Sequence, residues 1–217
     1  MRKMLLTSMG LSTPELSEEF LKLLPKKPAE LKLAYIATAS EPEPDVSYTL
    51  QTKAGFERLG FKEIVEVDLK LPEELAKLDD CDVIFVDGGN TFYLLKWVRE
   101  SKFDQKIKEL LSNDKVYVGV SAGSIIMGTS IEIAGATDHG DRNDVGLEDI
   151  RGLRQAPFMI SPHFKPIEKI PLDLFARKAA LRPIVGITDE QAIVCEGDRY
   201  RVVGPGKVMT WSSKLFR

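Results

Sequence analysis

A serine flanked by small residues is the feature of this sequence best suited to chemistry. Residues 119–123 (GVSAG) follow a strand-like run at 115–120 and precede a helix-like run at 124–128. This strand–turn–helix context is typical of a nucleophile elbow, in which the turn is so tight that only small residues fit beside the serine. The motif predicts that Ser121 is a nucleophile at the C-terminal edge of a sheet, where α/β proteins bind ligands.

A serine nucleophile needs a base, and the chain has only two histidines, His139 and His163. His163 follows a strand-like run at 158–161, and in a parallel sheet this would place it at the same edge as Ser121. His139 lies in a polar segment rich in glycine and aspartate. We therefore predict His163 as the general base.

A carboxylate that orients the base would complete a catalytic triad. Each acidic residue between Ser121 and His163 also has an ordinary interpretation as a solvated loop charge. The residues alone do not choose among the six candidates, which are Glu132, Asp138, Asp141, Asp144, Glu148 and Asp149.

A second glycine-rich turn, residues 87–91 (DGGNT), also joins a strand to a helix. Two consecutive glycines let backbone N–H groups approach a ligand closely. The turn could form an oxyanion hole, with one N–H from Gly89 and one from Ala122, the residue after the nucleophile. Asn90 is suited to cap the following helix and is also a candidate substrate-binding residue. No Gly-Lys-Ser/Thr follows the glycines, so the turn is not a P-loop.

Alternating strand-like and helix-like segments predict the scaffold that positions these turns. Continuous apolar strands separated by helices indicate a mostly parallel sheet covered on both faces. We expect a three-layer α/β/α sandwich in a single domain spanning residues 1–217, with short strands, a helix at 172–181 and a hairpin turn at Gly197-Asp198 in its last third. The predicted strands lie at 3–8, 31–38, 63–67, 82–86 and 115–120, and the helices at 48–59, 91–99 and 103–111.

The composition argues against several classes of function. The 217 residues are 43% hydrophobic and 29% charged, with a formal net charge of -3 and no run of basic residues, so we expect neither nucleic acid nor membranes as partners. No apolar run approaches the roughly 20 residues of a membrane span, and we expect no secretory signal. Cys81 and Cys195 lie in or beside strand-like runs, which favours buried, reduced thiols in a cytoplasmic protein.

Three motifs in combination resemble the dipeptidase E (aspartyl dipeptidase) family of serine peptidases. They are GGNTFYLL at 88–95, GVSAG at 119–123 and SPHF at 161–164. The resemblance extends over most of the chain. It implies a fold similar to the class I glutamine amidotransferases, of flavodoxin-like type, in which a cysteine occupies the position of Ser121.

The resemblance also implies roles for individual residues. Ser121 would be the nucleophile, His163 the general base and Asp138 the third member of the triad, with oxyanion donors from Gly89 and Ala122. The expected activity is hydrolysis of short peptides with a free N-terminus, some of them beginning with aspartate, by a monomer or homodimer without a metal or other cofactor.

One departure from the family concerns specificity for aspartate. In aspartate-specific members an arginine from a long loop after the histidine binds the substrate carboxylate. Here the stretch after His163 is short, and the cations in its first part are Lys165, Lys169 and Arg177. Arg177 is the candidate substrate-binding residue among them.

Three other functions are compatible with parts of the pattern. An esterase of the α/β-hydrolase class shares the elbow, although 217 residues is short for that fold. A non-catalytic binding protein on the same fold would retain binding when Ser121 is replaced by alanine. A phosphate or nucleotide binder would use the turn at residues 87–91.

Overall fold

The structure is a computed structural model that describes residues 1–136, 140–165, 173, 175 and 183–211. Its strands are β1 (Lys3–Thr7), β2 (Lys32–Ile36), β3 (Glu63–Glu66), β4 (Val83–Val86), β5 (Val116–Val120), β6 (Met159–Ser161), β7 (Ile184–Gly186), β8 (Ala192–Glu196), β9 (Arg199–Val203) and β10 (Met209–Thr210). Its α-helices are α1 (Pro14–Leu23), α2 (Ser47–Arg58), α3 (Thr91–Glu100), α4 (Phe103–Ser112) and α5 (Ala122–Ile125).

A seven-stranded sheet in the order β3-β2-β4-β5-β1-β8-β9 forms the centre of the fold. The strands from β3 to β1 pair in parallel, whereas β8 and β9 are antiparallel and form a hairpin. This confirms the predicted α/β fold with a mostly parallel sheet. The predicted hairpin turn is also confirmed, with Gly197 at φ +62° between β8 and β9.

Helices cover both faces of this sheet because each face carries buried apolar side chains. On one face α1 and α2 pack through Phe20 and Phe56, whose ring centroids lie 5.9 Å apart, and Phe56 meets Phe85 of β4 at 4.8 Å. On the other face α3, α4 and α5 contribute to a larger core that includes Leu94 and Ile107. The two cores hold the sheet rigid, so the turns at its C-terminal edge have fixed positions.

The last third of the chain differs from the expectation in one respect. Strand β6, which precedes His163, belongs to a separate three-stranded sheet in the order β10-β7-β6 and not to the central sheet. The premise that placed His163 at the edge of the central sheet is therefore wrong. Strand β6 is parallel to its neighbour, but that neighbour is β7 of the small sheet. Most of the predicted helix at 172–181 lies outside the described residues.

Helix α1 was absent from the sequence expectation. It begins with Thr13 as N-cap, whose hydroxyl accepts the N–H of Leu16 at 3.2 Å, and with Pro14 in its first turn. Its core-facing residues are Leu16, Phe20 and Leu23. Within the described part of the chain, no helix is long and apolar enough to cross a membrane.

Candidate active site

Ser121 lies in a sharp turn directly after β5 and immediately before α5. Its backbone has φ +46° and ψ -107°, a conformation that a residue with a side chain adopts only under strain. The Ser121 N–H donates to the carbonyl of Thr7 at 3.0 Å, which ties the turn to the end of β1. This geometry is that of a nucleophile elbow, in which strain projects the serine side chain out of the sheet.

The glycines on either side of Ser121 are required by close backbone contacts. A Cβ at Gly123 would lie 2.2 Å from the carbonyl oxygen of Val86, and one at Gly119 would lie 2.6 Å from the carbonyl oxygen of Gly123. Neither distance is compatible with any side chain, because both neighbours are backbone atoms. Gly123 is therefore required by the packing of the turn against β4, and Gly119 by the close approach of the turn's own backbone.

His163 brings its imidazole to Ser121 from the loop after β6. The Nε2 atom lies 3.1 Å from Ser121 Oγ, and the Nδ1 atom lies 2.7 Å from Oδ1 of Asp189. A carboxylate can only accept hydrogen bonds, so Nδ1 carries the proton and Nε2 presents its lone pair to the serine hydroxyl. This is the tautomer that a general base acting on Ser121 requires.

Asp189 reaches the site because β8 runs antiparallel to β1. Thr7 pairs with Val120 on one side and with Ala192 on the other, so the end of β5 and the beginning of β8 lie at the same edge of the sheet. The turn that precedes β8 therefore opens next to Ser121. Sequence reasoning assigned Asp189 no role, although it shortly precedes one of the short strands expected in the last third of the chain.

Of the acidic residues considered from the sequence, one lies outside the described residues and others have hydrogen-bond partners other than His163. Asp138, the expected third member, and His139 lie outside the described residues. Asp141 accepts the N–H of Thr91 at 2.8 Å, at the beginning of α3. Asp149 is hydrogen-bonded by Arg151, which holds the pKa of that carboxyl well below its ordinary value.

The turn at residues 87–91 lies beside Ser121. A Cβ built on Gly88 would be 3.3 Å from Ser121 Cβ, and Gly89 has φ +131° with no room for a side chain. The Gly88 N–H donates to Asp87 Oδ1 at 2.8 Å. The N–H groups of Gly89 and Ala122 make no hydrogen bond to any described residue, so both remain available to an oxyanion.

Asn90 acts as the N-cap of α3. Its Oδ1 accepts the N–H of Tyr93 at 2.9 Å, and its Nδ2 donates to the carbonyl of Arg142 at 3.0 Å. These bonds occupy both ends of the amide and tie the loop at 142 to the turn at residues 87–91. Arg177, the other candidate for substrate binding, lies outside the described residues.

Comparison with known proteins agrees with this geometry. The profile of Peptidase family S51 matches residues 4–203. The chain belongs to peptidase family S51. It is therefore a serine-type peptidase. It is similar, at 30% identity over 202 residues, to the uncharacterized peptidase Lmo0363 of Listeria monocytogenes, with 91% of this chain and 96% of that one covered.

More distant similarities point the same way. The Peptidase E of Shewanella sp. strain ANA-3 is 29% identical over 143 residues, which cover 61% of this chain and 58% of that protein. A solved structure of a Listeria monocytogenes EGD-e protein assigned to peptidase E superposes with a TM-score of 0.79 at 26% identity, covering 95% of this chain and all of that one. A peptidase from an acI-B1 actinobacterium shares the fold, with a TM-score of 0.69 at 21% identity.

In this S51 peptidase a cavity of about 830 Å³ opens over Ser121 and His163. Its walls come from the loop after β1, from α2 and from the glycine-rich turns, with Leu11, Phe56 and Leu59 among the apolar residues. Its ionisable groups include Glu43, Asp87, Asp141 and Arg58. Burial and the nearby Asp141 both raise the pKa of Glu43.

The two thiols of the S51 peptidase are remote from this chemistry. Burial raises the pKa of Cys81 to about 11 and that of Cys195 to about 12, so neither forms a thiolate nucleophile near neutral pH. Among the described residues, no group of three or more His, Cys, Asp or Glu side chains is arranged to hold a metal ion.

Proposed function

We propose that the protein hydrolyses short peptides with a free N-terminus, through a triad of Ser121, His163 and Asp189. The observation that carries the proposal is the continuous chain from Ser121 Oγ to His163 Nε2 at 3.1 Å and from His163 Nδ1 to Asp189 at 2.7 Å. Ser121 and His163 both line the cavity, where a scissile carbonyl could reach the serine. Asp189 here takes the place that the resemblance gave to Asp138.

The mechanism follows from the positions of these groups. Ser121 Oγ attacks the carbonyl carbon while His163 Nε2 takes its proton, and Asp189 stabilises the imidazolium. The N–H groups of Gly89 and Ala122 donate to the oxyanion, and one such donor typically lowers the barrier by about 3 kcal/mol. His163 then protonates the leaving amine, and water attacks the acyl-enzyme with His163 again as the base.

The charges of the cavity support a substrate with a free N-terminus. Glu43 and Asp141 place carboxylates on its wall, where an α-ammonium group would be attracted. Among the described lining residues Arg58 carries the one guanidinium, and it is the candidate partner for an acidic substrate side chain. We therefore expect dipeptides to be cleaved faster than their N-acetylated forms.

The test measures release of amine from a panel of X-Leu dipeptides that includes Asp-Leu, Glu-Leu and Ala-Leu. Wild type, Ser121→Ala and a matched control, Ser112→Ala, are compared with and without a chelator. Ser112 is an exposed serine at the end of α4 whose hydroxyl bonds only within its helix, to the carbonyl of Lys108. We expect Ser121→Ala to lose about three orders of magnitude or more of activity, and Ser112→Ala to match wild type.

A second readout does not depend on choosing the right peptide. A serine-directed sulfonyl fluoride should modify wild type at Ser121, as located by peptide mass spectrometry, and should react much more slowly with His163→Ala. Equal cleavage by wild type and Ser121→Ala would overturn the proposal. Modification of Ser121 without cleavage of any peptide would retain the nucleophile but exclude this substrate class.

A further inference from the structure

Ser8 lies at the junction of the elements that carry the proposed triad. It directly follows β1, the strand between β5 and β8 in the central sheet, and its side chain is fully buried. Its Oγ atom lies 2.7 Å from the backbone N of His163 and 2.7 Å from Oδ1 of Asp189. It also lies 3.2 Å from His163 Nδ1. Neither the sequence motifs nor the proposed mechanism assigns Ser8 a role.

The donor and acceptor roles of the Ser8 hydroxyl follow from which of its neighbours can donate and which can accept a hydrogen bond. Asp189 Oδ1 can only accept, so the single proton of Ser8 Oγ is donated to it. The backbone N–H of His163 can only donate, so one lone pair of the hydroxyl accepts that proton. Ser8 thus joins the backbone of the histidine to the carboxylate that orients its ring.

The position of His163 in the fold shows why such a link is needed. The histidine follows β6, which belongs to the small sheet, and its backbone is held at φ +54°, in the left-handed region. Ser121 and Asp189 instead flank strands of the central sheet. The Ser8 hydroxyl lies at the edge of that sheet and links it directly to the backbone of His163 by a hydrogen bond.

We propose that Ser8 is a positioning residue for the peptidase reaction, holding Asp189 Oδ1 and His163 in the arrangement that directs Nε2 at Ser121. This inference rests on the proposed triad. The hydrogen bonds of Ser8 Oγ go to His163 and Asp189 and not to Ser121 Oγ, so Ser8 acts through the other two residues. Its loss should therefore slow the chemical step and leave substrate binding nearly unchanged.

The first experiment compares Ser8→Ala with Ser130→Ala. Ser130 is also buried, and its hydroxyl also joins two backbone groups, donating to the carbonyl of Ile150 and accepting the N–H of Glu132, both at 3.2 Å. We expect Ser8→Ala to lower kcat by about 10- to 100-fold with KM within about threefold of wild type, as for a lost hydrogen bond to a charged group. Ser130→Ala should retain wild-type kcat, even if it melts at a lower temperature.

A double-mutant cycle tests whether Ser8 acts through Asp189. In the background of Asp189→Ala, adding Ser8→Ala should lower kcat by a smaller factor than it does in wild type, because one of the two groups that Ser8 positions is already gone. Additive losses, or a kcat of Ser8→Ala within twofold of wild type while Ser121→Ala is inactive, would overturn the proposal. If Ser8→Ala does not fold, the same comparison is made with Ser8→Cys, which has a similar shape and a weak donor.

A spectroscopic measurement separates failure of this inference from failure of the proposed function. The proton on His163 Nδ1 should give a far-downfield ¹H NMR resonance, identified by its loss in His163→Ala. This signal should weaken or move upfield in Ser8→Ala and persist in Ser130→Ala and Ser121→Ala, whether or not any peptide is cleaved. An unchanged signal in folded Ser8→Ala would refute the positioning role on its own.

Discussion

Replacement of Asp189 tests the observed hydrogen-bond chain against the expectation of Asp138 from the sequence. Two donors, the His163 Nδ1–H and the Ser8 hydroxyl, converge on the same oxygen, Oδ1. The second oxygen, Oδ2, has no hydrogen-bond partner among the described residues. In Asp189→Asn the amide oxygen can therefore face both donors while the NH₂ group faces solvent. The asparagine should keep the correct tautomer and lose only the negative charge, whereas Asp189→Ala should lose both.

The size of the loss follows from the exposure of the pair. The side chains of His163 and Asp189 are 42% and 49% exposed, so water screens part of their attraction. Two unit charges about 4 Å apart attract by about 1 kcal/mol in water and about 4 kcal/mol at the effective dielectric constant of a protein surface. A value of about 2–3 kcal/mol for the imidazolium and carboxylate corresponds to a loss of about 30- to 150-fold in Asp189→Asn. Asp189→Ala also frees the ring to rotate, and we expect a loss of about 1000-fold or more.

The assay is kcat/KM on the best dipeptide of the panel for wild type, Asp189→Asn, Asp189→Ala and Asp138→Asn. The expected order of activity is wild type and Asp138→Asn first, then Asp189→Asn, then Asp189→Ala. The reasoning is refuted if both variants of Asp189 remain within threefold of wild type while Asp138→Asn loses activity by orders of magnitude. A loss in Asp189→Asn as large as in Asp189→Ala would show that the amide does not hold the tautomer.

Three predictions concern the stability of the scaffold. Gly123→Ala should lower the free energy of unfolding by about 3 kcal/mol or more in urea denaturation, because its Cβ would overlap the Val86 carbonyl. Gly55→Ala, in the interior of α2 with no atom closer than 3.9 Å to the new Cβ, should instead raise that free energy by about 0.5–1 kcal/mol. Burial raises the pKa of Asp87, so the folded state favours its protonated form, and this contribution to stability should fall as the pH rises from the ordinary pKa to the raised one. Relative to Asp87→Asn, the free energy of unfolding of wild type should fall by up to about 1.4 kcal/mol per pH unit in that window, and the two curves of free energy against pH should be parallel above it. Curves that are parallel at every pH would contradict the burial argument.

The parts of the site that lie on single turns could be predicted from the sequence. Residues 119–123 and 87–91 each join a strand to a helix, and their glycines are required by contacts within a few residues of the turn or with the adjacent strand. Local pattern was therefore sufficient to predict the two turns that carry Ser121 and the backbone groups of Gly89 and Ala122. The signal for helix α1 was also local, because Thr13 and Pro14 mark its beginning, although the sequence analysis did not predict this helix.

The residues around His163 depend on pairing between distant segments. Asp189 meets the imidazole only because β8 is antiparallel to β1, and the direction of a strand leaves no mark in its apolar pattern. Ser8 directly follows an ordinary core strand, and its neighbours are 155 and 181 residues away along the chain. Neither contact could follow from spacing. The argument that selected His163 assumed the wrong sheet for β6, although the structure places its Nε2 atom 3.1 Å from Ser121 Oγ.

The register of three neighbouring strands explains which part of the site is most tightly determined. Because Thr7 pairs with both Val120 and Ala192, the positions of Ser8, Ser121 and the turn that bears Asp189 are set by one rigid sheet. His163 is set by a different sheet, so its distance to Ser121 depends on the bonds that join the two. The imidazole bond to Asp189 cannot by itself fix the backbone of the histidine, since the ring rotates about its own side-chain bonds. The hydrogen bond from the His163 backbone to Ser8 supplies that constraint, and we therefore expect changes at this junction to affect catalysis more than changes of equal size elsewhere in the small sheet.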